Sequence, residues 1–488
     1  MKKIVLFISF LLLTAVAATA QTMNVRVGQV TYAHRAANTG DMTITGGNTL
    51  TIEGKAYNTG SISQISIDDS DVADNTVSVS YSGQMASVVV SGNIAHLVTV
   101  NVSGANVSIT QSEALQQEVT YTLSGSSSNG SFFMDGDYKA TFVLNNLTLT
   151  NTAGPAIDIE DGKAISVTLT GTNTLADAAG GTHNATLYIN GHPTFSGTGS
   201  LTLTGLTKHA FTSDEYAVIA GGTINVTSAA SDGFHINERF QMTAGTLNIT
   251  SSGDGIDVGF RGANKGTKDQ YERNGFAELQ GGTITINTSG TATKGLKADS
   301  TIIVSGATLD ITTTGSATYD TTEKDFSSAA AVKTGGQFQM QGGSLNATSR
   351  GDGGKGINAT DDILISGGKV VVTTTGDVFE NTYGDTKPQA VKTDGNITIS
   401  GGEVYVASSP DKSTAFKADG LFRINGGTVL GIGSKKVSAA SSSTQKSKTY
   451  SGVKVTAGQT VSYDGVSFTV PSFYSNSSAN IIVSKAGM

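Results

Sequence analysis

Apolar and polar residues alternate along most of this chain in short runs that close on small residues. Typical runs are Thr283-Ile-Thr-Ile, Lys369-Val-Val-Val, Glu403-Val-Tyr-Val and Ile397-Thr-Ile-Ser-Gly-Gly. Period-2 alternation over four to six residues predicts β-strands with one buried face. The closing Gly-Gly or Ser-Gly pairs predict turns that need positive φ. Abundant Gly, Thr, Ser and Asn with few helix formers point the same way, to strands and tight turns.

The turns are regularly spaced. Their second small residue is read at Gly222, Gly245, Gly282, Gly306, Gly343, Gly368, Gly402 and Gly427, giving intervals of 23, 37, 24, 37, 25, 34 and 25. A fixed period marks a repeat architecture. The unit is a coil of 23 to 25 residues, and every second coil carries an insertion. Before each apolar-Gly-Gly run stands another short strand, as in Gly295-Leu-Lys-Ala-Asp299, Ala331-Val-Lys-Thr, Ala390-Val-Lys-Thr-Asp394 and Ala415-Phe-Lys-Ala-Asp419. Such strands are too short to stand alone, and stacking one coil on the next at ~4.8 Å pairs their backbones and buries an Ile/Val/Leu ladder.

The expected fold is therefore all-β: a right-handed, single-stranded parallel β-helix, with a small N-terminal β region and a C-terminal β cap. Residues 1–20 read as a signal peptide, 21–78 as the N-terminal β region, 79–435 as the helix and 436–488 as the cap. A set of β-sandwiches is the competing all-β arrangement, and it predicts hairpin turns without the insertion rhythm.

Composition sharpens the compartment. Lys2 and Lys3, the apolar Ile4 to Leu13 and the Ala18-Thr19-Ala20 triplet make the pattern of a secretory signal. The chain is expected to be exported, to the periplasm, cell surface or medium. Cys is absent, so neither a disulfide nor a lipidated cysteine is available. No later apolar run reaches the ~18 residues of a membrane helix. Charged residues make up 14%, and the formal net charge is −8, or −10 once Lys2 and Lys3 are set aside. That balance argues against nucleic acid, which calls for a basic surface.

Three features carry candidate chemistry. Aligning the coils puts Thr212, His235, Asp257, Lys297, Lys333, Asn358, Lys392 and Lys417 at one outward position. Lys297, Lys333, Lys392 and Lys417 then form a ladder spaced like the sugars of an extended acidic glycan. Each of Lys297, Lys392 and Lys417 has an Asp two residues on, and i, i+2 neighbours share a strand face. Plain ion pairing is thus the competing reading. The insertions, residues 259–273, 315–328 and 376–389, are expected to leave one corner of the stack together. They bring aromatic residues to a side groove: Tyr271, Tyr319, Phe326, Phe379 and Tyr383. Rings stack on sugar faces, and long loops on a rigid scaffold often carry binding; packing of the loops on one another is the alternative. Finally, Asp232, Asp254 and Asp257 around tight Gly turns, and Asp361-Asp362, are the acids that a calcium site would draw on. None of the six histidines sits in an HExxH pattern, and His209 and His235, on consecutive coils, read as surface residues.

From Val119 onward the order of these segments resembles a family of secreted bacterial carbohydrate-binding β-helix proteins related in fold to pectate lyases. The resemblance rests on Thr120-Tyr-Thr-Leu-Ser-Gly, Phe142-Val-Leu-Asn-Asn-Leu-Thr-Leu, the run from Ile165 to Leu175, the repeated Asp-Gly and Gly-Gly-Thr-Ile units, and Ala457-Gly-Gln-Thr-Val. It implies binding of cellulose or a pectin-like galacturonan, with calcium in the helix. Lys294-Gly295 and Lys355-Gly356 stand where the family pattern has Asp-Gly, which puts calcium at those coils in question. The expected function is non-catalytic polysaccharide binding. Two alternatives are a uronate lyase, using Lys297 or Lys333 as base, and a surface adhesin.

Overall fold

The computed structural model describes residues 21–40, 42–261 and 273–488. They form strands, turns and two three-residue 3-10 segments, with no α-helix among the described residues. Forty strands join in one sheet. From Val119 to Gly433 its ladders are parallel, each strand pairing with its counterpart one coil later. This is the long parallel-strand sheet of a β-helix, and the hairpin-linked sandwich is not what forms.

Each central coil has three strands. In one of them the first column holds Lys294–Ala298, the second Ile302–Val304 and the third Thr308–Thr313. The next coil opens at Ala330–Thr334, which pairs directly on Lys294–Ala298. Alternation fixes the faces: Ile302 and Val304 are buried and Ile303 is half-buried between them. Stacked inward positions run up the third column as Val226, Ile249, Ile286, Ile311, Ala347, Val372 and Val406.

The turn between second and third columns takes positive φ at Gly222, Gly245, Gly282, Gly343, Gly368, Gly402 and Gly427. Gly306 is the exception. Thr283 pairs with Thr308, so the residue opposite Gly282 is Ala307, and neither Gly306 nor Ala307 has positive φ. The repeat mark there moves by one residue, because the small residue that was counted is not the one in the turn slot.

The insertions correct a second expectation. Residues 259–273 leave between the first column (Ile256–Gly259) and the second (Phe276–Leu279). Residues 315–328 and 376–389 leave between a third-column strand and the next first-column strand. They therefore do not share one corner. The interval between turn marks measures extra length but is blind to which of the other two corners releases it.

The ends depart from the parallel stack. Thr22–Val27 pairs antiparallel with Val30–Arg35 and Ile62–Asp68, yet Val30–Arg35 lies parallel to Met85–Ser91, and one continuous core runs from Met23 to Val429. At the other end Asn476–Ser484 runs antiparallel to Thr428–Gly433 and to Ser447–Val455. Leu430, Phe468, Tyr474 and Ile481 form a second core beneath it.

Candidate functional site

The outward first-column position forms the register expected from the coil alignment. Tyr188, Thr212, His235, Asp257, Lys297, Lys333, Asn358, Lys392 and Lys417 are successive partners up one ladder. Their environments differ. Lys297 Nζ bonds Asp257 Oδ1 of the preceding coil at 2.8 Å, with Asp299 farther off at 3.7 Å. Burial works against its charge, but Asp257 wins and the amine titrates above its usual range. Lys392 and Lys417 pair with the acids two residues on, Asp394 at 2.7 Å and Asp419 at 2.5 Å. Lys333 differs. Its Nζ donates to Thr360 Oγ1 at 3.3 Å, and no acid lies within ion-pair distance of it among the described residues. Burial, helped by Lys392, draws its amine below the usual range.

The second and third insertions are β-hairpins, Thr318–Asp320 with Asp325–Ser327 and Phe379–Asn381 with Gly384–Thr386. They pack on one another. The Tyr319 ring stacks on Tyr383 at 4.2 Å and 4°, Phe326 meets Tyr319 edge-on at 5.0 Å, and Phe379 lies 6.2 Å from Phe326. Tyr383 is 62% exposed and presents the outer ring of this stack. Tyr271, the aromatic expected from the first insertion, lies outside the described residues.

The lysines that replace Asp in the family pattern have a visible task. Lys294 Nζ donates to Ala292 O and to Ser327 Oγ at the foot of the second insertion. Lys355 Nζ donates to Gly353 O at 2.7 Å and, in the third insertion, to Thr386 Oγ1 at 3.1 Å and Lys387 O at 2.6 Å. Each lysine is a peg for the hairpin next to it. Burial draws the Lys355 amine down to about 7.

The acids proposed for calcium separate into two places. Asp361 and Asp362 lie at the corner before Ile363–Ile365, four first-column pairings up the stack from the coil of Asp232. Asp362 Oδ1 there accepts from Asn396 N at 2.7 Å and Nδ2 at 2.9 Å. Asp232, Asp254 and Asp257 are neighbours, but each has one oxygen committed. Asp232 Oδ1 accepts from Asp254 N, Asp254 Oδ1 from Lys294 N, and Asp257 Oδ1 from Lys297 Nζ. What converges with Asp232 is nitrogen. His209 Nδ1 is 3.2 Å and His235 Nδ1 3.3 Å from its Oδ2, and the two imidazoles stack at 4.5 Å. Calcium takes six to eight oxygens; these residues do not supply that cage as they stand.

The histidines are the feature that sequence reading undervalued. His209 is 4% exposed, not a surface residue. Burial lowers its pKa, whereas Asp232 and Asp257 raise that of His235 to about 9. Burial alone would raise Asp232; the two imidazoles hold it below the usual carboxylate range. Burial pushes Asp254 up to about 6. The signal for this cluster was already in the alignment, which puts His235 one coil above Thr212 and one below Asp257.

Comparison with known proteins now places the chain. Residues 103–378 match the model of a family described as carbohydrate-binding domain-containing protein. The chain belongs to this carbohydrate-binding family. The matched residues include Lys297, Lys333, the Tyr319 hairpin and the His209–Asp232–His235 cluster. A search of curated proteins finds no match. Among solved structures, the polysaccharide lyase-like protein from C. thermocellum, in a gadolinium derivative, is similar at 21% identity and a TM-score of 0.43; the likeness covers 54% of this chain and 96% of that one.

Proposed function

We propose that this protein binds an extended, carboxylate-bearing polysaccharide of the pectin type along the outward face of the first column, without cleaving it. Membership of the carbohydrate-binding family carries the reading. The ladder supplies its finer part. Parallel coils repeat at ~4.8 Å, so Lys333, Lys392 and Lys417 present cations in a line along which a polyuronate extends. Lys333 has no acid partner among the described residues, and a ligand carboxylate would complete it. The exposed Tyr383 on the hairpin stack offers a ring to a sugar face. The proposal includes a right-handed coil, closed by residues 436–488, and export by residues 1–20, which lie outside the described residues.

The test is retention of the purified protein on insoluble glycans, with cellulose and polygalacturonate side by side. Retention on polygalacturonate that weakens with salt, and is lost in Lys333→Ala/Lys392→Ala/Lys417→Ala, is expected. Equal retention of that triple variant refutes the ladder. Release of unsaturated uronate from the same substrate, followed by ultraviolet absorbance, would replace binding with lyase action. The resemblance implies calcium, drawing on Asp232, Asp254, Asp257, Asp361 and Asp362, and chelation with EGTA in this assay tests it.

A further inference from the structure

We propose that His209, Asp232 and His235 form a binding site for a divalent transition-metal ion of the zinc type. One ligand atom from each residue lies within 4.8 Å of the other two. The two edges to the carboxylate, 3.2 Å from His209 Nδ1 to Asp232 Oδ2 and 3.3 Å from His235 Nδ1 to the same oxygen, are diagnostic. Zinc bonds of ~2.0–2.2 Å in a tetrahedron set ligand atoms about 3.3–3.5 Å apart. Two of the three edges already stand at that separation, and the third is within 4.8 Å.

Asp232 N donates to His209 Nδ1 at 3.3 Å, a long bond that a bound ion would replace at that lone pair. His235 Nδ1 is closed to solvent and has no hydrogen-bond partner, although Asp232 and Asp257 oxygens stand 3.3 and 3.5 Å away. Two carboxylates face His235 Nδ1, and a cation bound there would take the place of the proton they share with it. Two imidazoles and a carboxylate suit zinc and its neighbours, whereas calcium takes oxygen.

The surroundings are those of a supported site. Asp254 N donates to Asp232 Oδ1 at 2.9 Å and fixes the carboxylate's orientation. Asp257 Oδ2, 3.5 Å from His235 Nδ1, is placed to join as a fourth ligand, while its other oxygen is held by Lys297. The His235 side chain is 29% exposed against 5% for His209, so an ion enters from the His235 side. His235 lies on the outward ladder two rungs below Lys297, so a bound ion adds positive charge near the proposed glycan track.

Calorimetric titration of the full chain, freed of metal, with zinc chloride and separately with calcium chloride tests this. One equivalent of zinc is expected. In His235→Gln, zinc affinity should fall by more than the roughly 10–100-fold that loss of an outer-shell partner costs. His235→Gln is chosen because the residue is partly exposed, and its circular dichroism checks the fold. A second readout needs no variant: cobalt(II) added to the wild-type protein should give the intense visible band of a tetrahedral nitrogen–oxygen site, bleached by zinc. The proposal is overturned if zinc does not bind stoichiometrically, if His235→Gln binds it equally well, if calcium displaces it at comparable concentration, or if cobalt gives only its aqueous spectrum. Loss of zinc binding with glycan retention intact, or the reverse, separates this site from the ladder.

Discussion

Gly295→Ala is the sharpest perturbation of the coil. A Cβ there would lie 2.1 Å from Ile311 Cγ2 and 2.7 Å from Ala331 O, against an ordinary contact of 3.4 Å or more. The methyl overlaps Ile311 by about 1.3 Å, the difference between 3.4 and 2.1 Å, in a core that is closely packed on all sides. Its φ lies outside the left-handed region, so backbone strain is not involved. Overpacking of this size costs about 1–3 kcal/mol, and the stiffer unfolded chain returns about 0.4–1 kcal/mol. The expected net loss is about 1 kcal/mol. The neighbouring coil supplies the remedy. Gly295 stacks under Ala331, and Ile311 under Ala347; where the first-column residue gains a methyl, the facing one has lost its branch. Ile311→Ala alone should cost about 2–5 kcal/mol through the cavity it leaves. Gly295→Ala/Ile311→Ala should cost clearly less than the sum of the two single losses, because the new methyl fills part of that cavity while only its contact with Ala331 O remains. Ile311→Val keeps Cγ2 and should not rescue. The assay is guanidinium denaturation followed by circular dichroism, with midpoints compared at constant m. Additivity of the two single costs within about 0.5 kcal/mol would refute the volume-exchange argument.

Lys333→Ala should weaken polygalacturonate retention more than Lys392→Ala, because Lys392 already has Asp394 at 2.7 Å; affinity electrophoresis of the single variants checks the order. Lys355, drawn to about 7 by burial, binds fewer protons folded than unfolded between there and its ordinary 10.5. Its penalty is therefore fully present below pH 7 and is relieved as pH rises toward 10, by about 1.4 kcal/mol for each pH unit crossed, before its three acceptors offset part of it. Stability of Lys355→Met should lose this rise, as a denaturation series from pH 6 to pH 10 would show. Tyr383→Ala forfeits one stacked pair, worth about 0.5–1.5 kcal/mol, so melting should change little while glycan retention falls; unchanged retention removes the ring from the site.

Much of this was legible from alternation and spacing. Strand pattern and turn interval gave the coil, and the coil gave the outward ladder residue by residue, from Thr212 to Lys417. That succeeds because stacking is local: every coil repeats the same inward and outward choice. What the spacing left open was everything set between coils. The exit corner of residues 259–273 is invisible to a count of interval length. The Ala307 slot was misplaced because Gly306 is small but is not the residue in the turn. The competing ion-pair reading set Lys297 with Asp299, which it does meet at 3.7 Å, but its shorter contact, to Asp257 one coil below, was not legible. The pegs Lys294 and Lys355 looked like lapses from an Asp-Gly pattern, and their purpose appears only when the hairpins are in place.

The ladder is also polarised along the helix axis, and this bears on which glycan fits. Tyr188 and Thr212 lead into His235 and Asp257, and only then do the lysines begin. Tyr188 OH donates to Asp214 Oδ2, and burial pushes Asp158, its partner one coil earlier, up to about 6. A polyanion laid along the full column would set its carboxylates against Asp158, Asp214 and Asp257 at one end while gaining Lys333, Lys392 and Lys417 at the other. Like charges stacked at β spacing repel, so an acidic chain gains by occupying the lysine end alone, beside the Tyr319–Tyr383 stack. A neutral glucan feels no such gradient. Short uronate oligomers should therefore compete with polygalacturonate as soon as they span Lys333 to Lys417, with little gained from added length. Affinity that keeps climbing with oligomer length beyond that span would mean that the ligand runs across the acidic half too, and that charge does not set its register.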